Sequence, residues 1–143
     1  MPLVHLKTRN IEYKFQITDK YSIIKGDSGS GKTTLYNLAV SLTAGNVVQN
    51  GSDAVVAAVP VDFDSFNLGR YEGAVLIIDE DNTLFKKPDV ASILESSHNY
   101  FILIIRKLKV GYLPINTESV FKIVESGKFH TLRKFYDEDT IIK

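Results

Sequence analysis

The segment "KGDSGSGKTTL", Lys25 to Leu35, constrains this chain more than any other. Gly26, Gly31, Lys32 and Thr33 stand at the defining positions of the GxxxxGK[ST] spacing. Each residue type there has a physical task. Glycines free the backbone to point several N–H groups at one anion, and a following helix aims its positive end at the same place. The Gly26-Asp27-Ser28-Gly29-Ser30-Gly31 backbone, continued through Lys32, Thr33 and Thr34, is therefore read as a phosphate-binding surface. Lys32 supplies a point charge for β- and γ-phosphates, and the Thr33 hydroxyl a ligand for Mg²⁺. At average glycine usage, the four positions coincide by chance in about one chain of this length in a few hundred.

The motif requires a strand before it and a helix after it. Tyr21 to Ile24 is a short apolar run, while Leu35, Leu38, Ala39 and Leu42 recur at the one-faced spacing of a helix, with Gly45 and Asn46 as its stop. Upstream, Ile11, Tyr13, Phe15 and Ile17 alternate with polar residues, predicting a half-buried strand joined through Arg9-Asn10 to another at Leu3–Lys7. Downstream, Asn50-Gly51 predicts a hairpin turn. Ala54 to Asp64 reads as a strand with Pro60 near its end, and "AVLIIDED" (Ala74 to Asp81) as a buried parallel strand with its acids facing a ligand. "KPDVASILESS" predicts a short helix with Pro88 in its first turn, "YFILII" a further buried strand, and "SVFKIVESGKFHTLRKF" a hairpin turning at Ser126-Gly127. The expected architecture is α/β: one domain over residues 1–143, with a mainly parallel sheet flanked by helices and antiparallel strands at both ends of the chain.

A strand-terminal carboxylate completes Mg²⁺ coordination beside a phosphate loop. Asp79 fits that position and Glu80 is placed to polarise an attacking water; the alternative is an ordinary acidic strand end. Asp81 reads as solvated. Asp62 and Asp64 would either orient Mg²⁺ or a second substrate, or cap the following turn. Arg106 is a candidate γ-phosphate sensor or a surface ion pair. His5, His98 and His130 have no partner pattern for nucleophilic or metal chemistry. Guanine reading by an Asn-Lys-x-Asp element is missing, the nearest stretch being "NTES" at Asn116.

The order of these pieces resembles the nucleotide-binding domain of ABC-type ATPases, from about Leu3 to Phe135. "GDSGSGKTTL" is similar to that family's Walker A loop, "VLIIDED" to its Walker B strand and catalytic glutamate, and "VFKIVESGKFHTL" to its final hairpin. The resemblance implies binding of ATP and Mg²⁺ and permits hydrolysis through Glu80. The departures are specific. Val61 and Asp62 stand where the glutamine switch would fall. Only "SFNLGRYEGA" remains for the helical arm and its signature, and Arg106 or Lys107 replaces the switch histidine. Tyr13 is a weak candidate for adenine stacking.

Three functions follow: an ATPase that turns over slowly or under a partner's stimulus, a small-molecule kinase, and a nucleotide-gated protein-binding module. A protein partner or a second copy is expected, since the missing arm would have completed the site in trans. Seventeen basic and seventeen acidic residues cancel, so no nucleic-acid footprint is evident. No apolar run is long enough to span a bilayer, "MPLVHLKTRN" lacks the apolar region of a signal peptide, and cysteine is absent. A cytoplasmic protein is the expectation.

Overall fold

The computed structural model describes residues 1–25, 32–43 and 49–135, with side chains at 32–34, 42–43 and 49–50 left aside. The first two strands, β1 (Leu3–Lys7) and β2 (Glu12–Gln16), form an antiparallel pair through the Arg9-Asn10 turn. Strand β3 (Tyr21–Lys25) leads to the glycine-rich segment, and helix α1 (Lys32–Thr43) follows it. The chain continues through the two-residue β4 (Gln49–Asn50), then β5 (Val56–Ala58), β6 (Val75–Asp79), α2 (Val90–Ser96) and β7 (Tyr100–Ile105). It closes with β8 (Val120–Ser126) and β9 (Phe129–Lys134).

All nine strands join in one sheet, in the order β4-β1-β2-β9-β8-β3-β7-β6-β5. This overturns the expected mainly parallel sheet flanked by helices. Apart from the stub β4, the strands form a mixed, nearly closed, barrel-like sheet, accompanied by only two α-helices among the described residues. Two features of the chain account for the difference. Residues 51–74 are rich in Gly, Asn and Asp and fold into 3₁₀ turns at Phe63–Ser65 and Leu68–Arg70, and residues 106–119, which carry Gly111, Pro114 and Asn116, into one at Thr117–Ser119, rather than into covering helices. In addition, the two terminal hairpins do not stay apart. Tyr13 lies opposite His130 in a parallel β2–β9 pairing, which carries the sheet round from one hairpin to the other.

The curled sheet buries α1 on one side and α2 on the other. On its inner side, Leu35, Leu38 and Ala39 of α1 pack between Val4, Leu6, Tyr13 and Phe15 of the first hairpin and Val75, Ile77, Ile102 and Ile104 of the parallel strands. The alternate residues of those strands, Leu76, Ile78, Phe101, Leu103 and Ile105, face the other way onto Val90 and Leu94 of α2 and onto Val110 and Leu113. This period of two on doubly buried strands is why β6 and β7 read as unbroken apolar runs.

Two local expectations also change. Asn50-Gly51 is not a hairpin turn, because β4 and β5 lie at opposite edges of the sheet. Instead the Gly51 amide donates to the His5 carbonyl at 2.8 Å, and a Cβ there would lie 2.7 Å from the His5 ring, so glycine is needed for close approach. Pro88 precedes the Asp89 cap of α2 rather than lying in its first turn. The final hairpin forms as read: Ser126 faces Phe129, and Gly127 takes φ +60°, the first central position of a type II′ turn. Gly45 and Asn46, read as the stop of α1, lie outside the described residues.

Candidate functional site

Three adjacent strands set the site. β3, β7 and β6 are parallel and in register, with Lys25 opposite Ile105 and Ile104 opposite Asp79. The end of β3, Arg106 and the acids therefore all lie at the same end of these strands. Lys25 and Asp79 are separated by two strand spacings, about 10 Å. The six loop residues Gly26, Asp27, Ser28, Gly29, Ser30 and Gly31 lie outside the described residues, but the strand and helix that the motif demands are both present on either side. Lys32, Thr33 and Thr34 form the first turn of α1.

The helix is anchored near the acids. The Tyr36 hydroxyl donates to the Val59 carbonyl at 2.6 Å, just past the end of β5. Burial pushes the Tyr36 phenol above its ordinary range, and the Asp79 charge pushes it further. Thr33 lies three residues before Tyr36 in α1, one turn nearer its N-terminus. Sequence reading passed over Tyr36, although its spacing from Thr33 was the available signal.

At the end of β6, Asp79 and Glu80 are only partly exposed whereas Asp81 is open to solvent. Burial raises the Asp79 carboxyl above the usual carboxylate range, opposed by the Asp81 amide, which donates to its Oδ2 at 3.1 Å. The Asp81 charge raises it further, Arg106 lowers it, and Glu80 adds to the rise. Arg106 spans the cluster. Its Nη2 lies 4.0 Å from Asp79 Oδ2 and 3.5 Å from Asp81 Oδ2, while its Nε lies 3.5 Å from Glu80 Oε1. That same Glu80 oxygen accepts from the backbone amides of Arg106 and, at 3.2 Å, Lys107. Arg106 is thus engaged with carboxylates in this structure, the ion-pair alternative of the sequence reading.

The turn behind the acids is fastened to the β5 exit. Asn82 is almost fully buried; it donates to the Pro60 carbonyl at 2.8 Å and accepts from the Leu84 amide at 2.9 Å. Thr83 Oγ1 accepts from the Phe63 amide at 2.9 Å. This clamp fixes where Asp79 and Glu80 leave the sheet, and it too was missed, although Asn directly after an acidic strand end is a turn former.

The other candidates divide clearly. Asp62 caps its 3₁₀ turn by accepting from the Asp64 amide, and Asp64 pairs with Lys87 at 2.9 Å, so both serve the local fold. Asn116 likewise caps a turn through the Glu118 amide. Tyr13 is fully buried and stacked on His130, with ring centroids 4.6 Å apart, which removes it as an adenine platform. His5 and His130 pair with Glu12 and Glu125. Among the described residues, no three His, Cys, Asp or Glu side chains gather to hold a metal ion. A single strand-end carboxylate is nonetheless what Mg²⁺ takes from a protein when phosphates fill most of its shell. Asp79 stands at such a strand end and is partly exposed.

No protein-family model, curated protein or solved structure matches the chain. No helix among the described residues is long and apolar enough to cross a membrane.

Proposed function

We propose that this chain binds ATP with Mg²⁺ at the edge where β3, β7 and β6 end, and hydrolyses it slowly or when a partner completes the site. The observation that supports the reading is the register of those strands: the end of β3, after which the sequence with the phosphate-loop spacing follows, lies at the same end as Arg106 and the Asp79-Glu80 pair. In this reading the loop amides and Lys32 bind the phosphates. Thr33 and Asp79 hold Mg²⁺, which when bound neutralises charge on the β- and γ-phosphates. Glu80 takes a proton from the attacking water. The relation to ABC-type ATPases is proposed at this level only, without the helical arm. Its absence assigns the missing transition-state contact to a protein partner or a second copy, and groups supplied in trans are worth about 10³–10⁵ in rate. A cytoplasmic setting suits an ATP-dependent chain without cysteine.

The kinase alternative relied on Asp62 and Asp64 as acceptor-binding acids, and both are committed to turn and ion-pair contacts. The nucleotide-gated binding module keeps a specific observation in its favour: the Glu80 oxygen is occupied by amide donors.

The test is ATP binding and phosphate release by the wild type, Lys32→Ala and Glu80→Gln, with GTP as competitor. Lys32→Ala is expected to weaken ATP on the order of 100-fold, as charge-assisted phosphate contacts are lost. Glu80→Gln should bind ATP normally and lose turnover by roughly 10²–10⁴, the range of general-base catalysis. Wild-type protein that fails to bind Mg²⁺·ATP at millimolar concentration would overturn the reading. Binding unchanged in Glu80→Gln, with no turnover in either protein, would leave the gated module.

A further inference from the structure

We propose that the solvent face of the terminal hairpins binds a single-stranded nucleic acid, with phosphates on Lys7, Lys14, Lys122 and Arg133 and one base stacked on Phe129. The face lies on β1, β2, β9 and β8, none of which supplies a residue to the acidic edge. It is therefore independent of the ATP reading.

The sheet register builds this face. Lys7 stands opposite Glu12, Glu12 opposite Phe129, and Lys122 opposite Arg133. Side chains alternate along a strand, so Lys14, two residues after Glu12, and Arg133, four after Phe129, point to the same side. The other side is the buried one, with Leu6, Tyr13 and His130. Charge is segregated accordingly. The whole chain is neutral, yet residues 3–16 and 120–134 carry seven Lys and Arg against two acids, Glu12 and Glu125. Each acid is held by a histidine, Glu12 by His5 at 2.7 Å and Glu125 by His130 at 3.0 Å. Among the described residues, none of the four named cations forms an ion pair. Cations gathered on one face without counter-charges are the footprint of a polyanion.

Phe129 selects which polyanion. It is 54% exposed beside the Gly127 turn, and the Lys128 ammonium lies 5.4 Å from its ring centroid, a fifth cation for the stacked nucleotide. Phe129 also lines a hollow of about 380 Å³, together with Lys14, Val124 and Thr131, which is ample for one base. Stacking on an aromatic ring accepts any base, because every base has a π-face. Glu12 lines the same hollow, where its charge excludes a phosphate and accepts a base N–H. A duplex keeps its base faces inside the stack and offers none to Phe129. An anionic bilayer takes several protruding apolar side chains. In these four strands Phe129 is the only large hydrophobic residue so exposed.

The experiment is fluorescence anisotropy of a labelled, mixed-sequence DNA strand of roughly a dozen nucleotides, titrated with the full chain. Micromolar binding is expected at low salt, with log affinity falling against log salt at a slope of about −3, since each phosphate neutralised on a single strand contributes about −0.7. Lys14→Gln combined with Arg133→Gln should flatten that slope by about 1.4. Phe129→Leu, which keeps the hairpin apolar, should weaken binding about tenfold and leave the slope unchanged. Urea unfolding of each variant separates lost binding from lost fold. The chain has no tryptophan, so Phe129→Trp supplies a single reporter: it should bind like wild type, and the strand should quench its emission. An RNA strand of the same sequence should bind within a few-fold, because phosphates and a base face carry the contact. Wild type that does not bind at low salt, an unchanged slope in the folded double variant, unchanged affinity in folded Phe129→Leu, or unquenched emission would overturn the proposal. Equal affinity for the duplex, or binding to anionic vesicles in place of the strand, would do the same. Each outcome stands whether or not the chain binds ATP.

Discussion

The two ends of the parallel strands β3, β7 and β6 are built on different terms. At the end where they start, polar groups meet specific partners. Asn99, nearly fully buried, accepts from the Ala74 amide at 2.9 Å and donates to the Tyr71 carbonyl at 2.9 Å and to Ser97 Oγ at 2.7 Å. Lys20 donates to the Glu95 and Ser97 carbonyls at the C-terminus of α2, and the Tyr21 hydroxyl donates to Glu95. At the other end three carboxylates converge on one guanidinium. The first arrangement spends its polar groups on holding the chain; the second concentrates negative charge where stability gains least from it. Binding sites are often built at such local expense.

The sharpest way to break the comparison is Asn99→Leu. It strands the Ala74 amide and the Tyr71 carbonyl, and each buried group left unpaired costs about 1–3 kcal/mol. A total loss of roughly 3 kcal/mol is expected in urea unfolding. ATP affinity of the folded protein should be unchanged, because the network lies at the opposite edge; a matching fall in affinity would show that the two ends are not independent.

Tyr21→Phe is a milder cut at the same end, with an expected loss of about 1 kcal/mol for one hydrogen bond. Its signature is in the pH dependence. Burial first, and then the Glu95 contact, raise the Tyr21 phenol well above its ordinary value. The unfolded chain gives up this proton above about pH 10 while the folded chain keeps it, so the contribution is full below that pH and falls as pH rises. Wild-type stability should therefore drop more steeply than that of Tyr21→Phe between about pH 10 and 11. Parallel curves would mean that Tyr21 titrates alike in both states.

What the sequence could reveal follows the same division. Elements governed by local rules were legible: the strand before the glycine-rich segment, the helix after it, the buried runs ending at Asp79 and Ile105, and the Gly127 hairpin. The sheet was not, because its curl depends on Tyr13 meeting His130 across more than a hundred residues, and neither residue signals that partner. Asn50-Gly51 misled for a related reason: a turn-forming pair was taken to join its neighbours, whereas β4 pairs back with β1 and β5 pairs onward with β6. At the site, residue types and their common edge were readable. The contacts among them were not, since Arg106 meets Glu80 only once β6 and β7 lie side by side.

Asp79→Asn tests the charged end with the smallest expected change in stability and the clearest separation from function. The Asp79 carboxyl is raised by burial, which outweighs the lowering by the Asp81 amide and Arg106; the Asp81 and Glu80 charges add smaller rises. A carboxyl raised in the folded state favours folding at low pH, and that advantage disappears as pH climbs through its folded value. At neutral pH the ionised Asp79 is therefore a net cost. Asparagine keeps the size and an acceptor for the Asp81 amide while removing the charge. The variant should unfold at equal or slightly higher urea, by about 0.5 kcal/mol, and should lose the steepening of wild-type stability at acidic pH. Its Mg²⁺-dependent affinity for ATP should fall together with turnover. A variant that loses stability instead would mean that Asp79 holds the strand end through Arg106, and the charged edge would then be structural in the same sense as the Asn99 network.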